Sequence, residues 1–93
     1  MSTPVSKWTT ILASRLTRYD QRQRIPNPYR LSHYLGAVQK VDADCAGVAD
    51  RGDPAAMTVL LRSLDARFCD LPPVDKLKAE ISDYVKTGKA PKL

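Results

Sequence analysis

The chain has 93 residues, with 15 Lys and Arg against 10 Asp and Glu for a formal charge of +5, and its 43% apolar and 27% charged residues are ordinary for one small globular domain. It holds no run of about 18 apolar residues, so no transmembrane helix is expected, and its start, MSTPVSKWTTIL, lacks the pattern of a secretory signal. Two cysteines, Cys45 and Cys69, are too few for a disulfide scaffold, which points to a reducing, cytoplasmic setting.

Prolines punctuate the sequence, and in three places a capping residue precedes one. A side-chain oxygen at the cap accepts from the free amides of a first helical turn, and proline at the next position gives up no hydrogen bond. Thr3-Pro4 opens the first element. Val5, Trp8, Ile11, Leu12, Leu16 and Tyr19 then fall on a stripe about 120° wide, and Ile25-Pro26 ends it, which predicts a helix near 4–23. Asn27-Pro28 opens the second. Leu31, Tyr34, Leu35, Val38, Val41, Cys45 and Ala49 carry the period on towards Gly52, predicting a helix near 28–51. Gly47 is its weakest point, since glycine costs about 1 kcal/mol in a helix interior. The apolar register nevertheless continues past it.

Asp53-Pro54 opens a third helix, near 54–69, with Met57, Leu60, Leu61, Leu64 and Phe68 on its stripe. Asp70-Leu71-Pro72-Pro73 leads into a fourth, near 73–87, carrying Val74, Leu77, Ile81, Tyr84 and Val85 and stopped by Gly88. Residues 88–93 are expected to fray. No segment alternates apolar and polar residues as a strand would. The expected fold is a single all-α domain over 1–93, a compact four-helix bundle or orthogonal helical array. Short connections favour antiparallel neighbours within it.

The charge is unevenly spread. Lys7, Arg15, Arg18, Arg22, Arg24, Arg30 and Lys40 face a single acid, Asp20, in residues 1–40, while the remainder is close to neutral. Arg15, Arg18 and Arg22 recur at three and four positions and line one stripe of the first helix. Arg15 lies only about 20–40° around the wheel from Trp8 and Ile11, so the basic stripe borders the apolar face. Tyr19, Tyr29 and Tyr34 interleave the same stretch, RYDQRQRIPNPYRLSHY. Arginines among aromatics suit phosphate contact with base stacking. They equally suit an acidic protein surface, because Arg, Tyr and Trp dominate interface hot spots. The pattern is also that of a solvated helix end, where arginines complement the dipole, and Asp42 or Asp44 is placed to pair with them across antiparallel helices.

Catalytic and metal signatures are missing. His33 is the sole histidine and lies opposite the apolar stripe of its helix, and Cys45 and Cys69 form no CxxC pair, so no metal or cofactor is expected. Cys45 sits on the apolar stripe and reads as a small buried hydrophobe. Asp42-Ala43-Asp44 opens like a calcium loop, but the twelfth position is Asp53, with Pro54 following at once. A helix-turn-helix across RIPNP is a weak match, since that turn lacks the glycine such motifs often carry.

The reading is a non-enzymatic interaction protein, an adaptor or inhibitor, resembling in size the accessory proteins that phages and plasmids use against a host machine. It would dock Trp8, Arg15, Arg18, Tyr19, Arg22, Arg24, Tyr29 and Arg30 on an acidic site of a larger macromolecule. The alternative is a nucleic-acid-binding regulator, or a helical subunit of a nucleoprotein complex, using the same residues on phosphates. A homodimer through Trp8, Ile11 and Tyr34 is compatible with either.

Overall fold

Two of the expected caps form as read. In the computed structural model, which describes residues 3–89, Asn27 Oδ1 accepts the amides of Tyr29 and Arg30 at 3.0 and 3.2 Å. Asp53 Oδ1 accepts the amide of Ala56 at 3.1 Å, and each cap is followed by proline at the first helical position. The helices are α1 (Val5–Gln21), α2 (Pro28–Asp44), α3 (Pro54–Arg67) and α4 (Pro72–Thr87). A single 3₁₀ turn, Ala46–Val48, follows α2. No strand occurs among the described residues. The fold is all-α. Gly88 closes α4 in the left-handed conformation, φ 73°, with its amide on the Tyr84 carbonyl at 2.8 Å.

The start of α1 differs from expectation. Thr3 does not cap α1, and no side chain does. The free amides of Val5 and Ser6 instead donate to the carbonyls of Arg51 and Ala49, each at 3.0 Å. Thr3 is buried, and its own amide donates to Tyr84 Oη at 2.8 Å, while that hydroxyl donates to the Gly52 carbonyl at 2.9 Å. Backbone from segment 45–53 thus replaces the cap, and Tyr84 ties the start of α1, this segment and the end of α4 together. At α4, Leu71 is the cap residue, again without a side-chain bond, so the helix begins at Pro72.

This arrangement also corrects the length of α2. It stops at Asp44, where Cys45 leaves helical geometry at φ −102°, ψ 11°. Asp42 and Asp44 place negative charge at the negative end of the helix dipole, its last turn holds no basic residue, and Gly47 disfavours continuation. The turn that follows delivers the Ala49 and Arg51 carbonyls to α1. Cys45 remains buried although it lies past the helix end. Helix α1 spans less than 4–23, and α3 ends at Arg67 short of 69. Of the tail read as fraying, residues 90–93 lie outside the described residues.

The four apolar stripes meet in one core. Trp8, Leu12 and Leu16 of α1 pack with Val41 and Cys45, with Met57, Leu60 and Leu64 of α3, and with Leu77 and Ile81 of α4, all of them buried. Trp8 and Tyr84 meet edge to face with ring centroids 5.7 Å apart. The core does not reach the far end of the α1–α2 hairpin. Beyond Leu16, Asp20 is the one buried residue of α1, and α2 has none before Val38. Leu31, Tyr34 and Leu35 are half-buried there. The molecule measures 38 × 24 × 19 Å.

The order of contacts along α1 fixes α4 as its antiparallel neighbour. Trp8 meets Tyr84, Arg15 meets Glu80, and Arg18 and Arg22 border the same groove as Pro72, Pro73 and Lys76. Helices α2 and α3 depart from the expected hairpin. Asp44, at the end of α2, holds Ser63 and Arg67 near the end of α3. The connection 45–53 is longer than expected and turns the chain before α3 begins.

Candidate functional site

The basic stripe of α1 splits into two sets once its neighbours are in place. Arg15 and Arg30 are taken up within the molecule. Arg15 reaches across to Glu80 on α4 at 2.8 Å, with side chains 16% and 23% exposed. Its nearness to Trp8 on the helical wheel puts it at the edge of the α1–α4 contact, so its guanidinium braces two helices. Arg30 donates through Nε and Nη2 to Asp20 Oδ1, at 3.0 and 2.8 Å. That carboxylate is 4% exposed and ties the two helices together across their connecting turn.

Arg18, Arg22 and Arg24 form the second set. All three are exposed, and none has an acidic partner among the described residues. Arg18 stands in the last turn of α1 and Arg22 is its C-cap, a place where the dipole favours cations. Asp42 and Asp44 do not neutralise them. Asp44 instead accepts from Arg67 through both carboxylate oxygens, at 3.0 Å each, and from Ser63 at 2.7 Å. The Arg67 bond first, and the Ser63 bond second, lower its pKa to about 2.

The aromatic residues separate in the same way. Trp8 leaves the candidate surface, because it is fully buried at the middle of the α1 stripe, where α4 packs. Its Nε1 finds no hydrogen-bond acceptor. Ile11 is buried as well, so Trp8, Ile11 and Tyr34 do not make an exposed dimer patch. Tyr19 is half-buried, and Tyr29 is 86% exposed at the start of α2. Beside it in the turn, Ile25 is 77% exposed. The structure therefore adds an aliphatic residue to the surface that the sequence reading passed over.

It also adds α4. An open groove of about 480 Å³ runs between the C-terminal half of α1 and the start of α4. Arg15, Arg18, Tyr19 and Arg22 line one side, and Pro72, Pro73, Lys76 and Glu80 the other. Lys76 is exposed and without an acidic partner among the described residues. Residues 72/73, 76 and 80 lie on one helical stripe, so the sequence did place them together. Which helix the basic edge of α1 would face is a tertiary fact that no local pattern carries. A second hollow, about 330 Å³, is lined by Gly52, Pro54, Tyr84, Val85 and Gly88 and presents no side-chain charge.

The remaining chemistry-bearing residues are dispersed. His33 is exposed. Cys45 is buried and Cys69 exposed, both as free thiols, and burial, followed by the charges of Asp44 and Asp42, pushes the Cys45 thiol up. Among the described residues no three His, Cys, Asp or Glu gather as a metal site, and no helix is long and apolar enough to cross a membrane. Comparison with protein-family models, with curated proteins and with solved structures finds no match to the chain.

Proposed function

We propose that the chain is a non-enzymatic interaction protein, an adaptor or inhibitor, that docks the exposed end of the α1–α2 hairpin onto an acidic site of a larger macromolecule. The observation that carries this reading is the unneutralised set Arg18, Arg22 and Arg24 beside exposed Ile25 and Tyr29. Arg15 and Arg30, the other arginines of the same hairpin, are paired with Glu80 and Asp20, which leaves these three as the arginines open to a partner. Guanidinium groups bind carboxylates bidentately and lose hydration readily, which suits them to an interface. Ile25 favours a protein partner over nucleic acid, since an exposed aliphatic side chain adds buried area at a protein surface and nothing to a phosphate backbone. The free thiols fit a reducing compartment, which supports a cytoplasmic location.

The test is affinity capture with wild type and with an Arg18→Glu/Arg22→Glu variant whose fold is checked by circular dichroism. The reading expects a stoichiometric protein complex that the variant loses. Recovery of the same complex with the variant contradicts it. Binding of random duplex at about 50 mM salt, falling with salt at a log–log slope near −0.9 per phosphate contact, would replace it with the nucleic-acid reading.

A further inference from the structure

We propose that the groove between α1 and α4 is the seat for an extended acidic peptide segment of the partner, with Lys76 as a recognition residue alongside Arg18 and Arg22. The inference rests on the docking reading above and names what enters the surface. Three exposed cations, from two helices, border this groove without acidic partners among the described residues, and Glu80 is the one acid lining it. Glu80 is already engaged by Arg15 at 2.8 Å, so its charge is offset and the two walls are braced at a fixed separation. A single carboxylate would leave most of this positive charge unmatched. A run of carboxylates matches it.

The spacing favours an extended segment. Arg18 and Arg22 are four residues apart on α1, which is about 6 Å along the axis. Carboxylates on alternate residues of an extended chain lie about 6.6–6.8 Å apart on one face. Two of them can therefore address Arg18 and Arg22 in register, while a residue of the opposite parity faces the α4 wall and Lys76. Pro72 and Pro73 offer that wall no amide to hydrogen-bond a peptide backbone. Recognition on this side is left to the Lys76 ammonium and to apolar contact. The volume, about 480 Å³, is within the range of about 300–1,000 Å³ usual for ligand sites.

The experiment is an amide-resolved NMR titration of the full chain with a short peptide alternating Glu and Ser, against a peptide of the same composition with its glutamates contiguous. Saturable shifts in residues 15–22 and 72–80 are expected, with tighter binding of the contiguous peptide, whose carboxylates reach Arg18 and Arg22 on one face and Lys76 on the other. Lys76→Glu should weaken that binding by about fivefold or more, while Lys86→Glu, at the far end of α4, leaves it unchanged. Shifts confined to residues 22–30, or indifference to Lys76→Glu, would overturn the groove and leave the docking surface standing. Equal binding of the two peptides would overturn the extended register. No saturable shift anywhere would overturn the groove, and the capture experiment with Arg18→Glu/Arg22→Glu would then decide the docking reading by itself.

Discussion

Tyr84 ties together three parts of the chain that lie far apart in sequence. Its hydroxyl accepts from the Thr3 amide and donates to the Gly52 carbonyl, and its ring packs on the edge of Trp8. Tyr84→Phe keeps the ring and strands two buried backbone groups. The variant should lose about 1–3 kcal/mol, and its thermal midpoint should fall by about 4–8 °C per kcal/mol. Differential scanning calorimetry reads this directly, and an unchanged midpoint would contradict the role given to the hydroxyl. Asp44 supplies a second residue-scale prediction. Its pKa is lowered from 3.8 to about 2 by Arg67 and Ser63, so its carboxylate stabilises the fold above the unfolded value. That contribution is lost as pH falls from about 4 through about 2. Urea midpoints should therefore decline more steeply over this window in wild type than in Asp44→Asn. Parallel curves would show that Asp44 is not linked to folding.

At the scale of elements, the sequence specified what local chemistry decides. Asn27-Pro28 and Asp53-Pro54 start helices because cap and proline act within one turn of chain. The end of α2 was not legible, because it depends on where segment 45–53 must deliver carbonyls, and those go to α1, over forty residues away in sequence. The apolar period misled here, as Cys45 is buried by the core whether or not it is helical. Gly36 illustrates the reverse case, a residue that local preference alone should improve. It lies inside α2, and a Cβ built there meets nothing within 4 Å. Gly36→Ala should raise stability by about 0.5–1 kcal/mol, measured by chemical denaturation. A loss would mean that α2 packs more closely at that point than the structure places it.

Across the whole molecule, the formal +5 resolves into charges that hold the fold and charges that do not. The asymmetry between the two halves of the chain was visible in the sequence. Which arginines would be consumed was not, because Arg15 finds Glu80 on a helix, 65 residues further along the chain, and Arg30 finds Asp20 across a turn. Trp8 was misplaced for a related reason. Its stripe was read correctly as apolar, but assignment to the surface required that α4 not cover it, and α4 does. What survives is Arg18, Arg22 and Arg24, half-buried Tyr19 and exposed Tyr29, joined by Ile25 and Lys76.

The central claim is that this local face, and not the global basicity, carries the function. Arg18→Glu/Arg22→Glu and Lys40→Glu/Arg62→Glu change the charge equally, each replacing two exposed cations by carboxylates and taking +5 to +1, since 5 − 4 = 1. With both variants folded, affinity for the captured partner should collapse in the first pair and stay near wild type in the second. Equal losses in the two, or none in the first, would contradict the account.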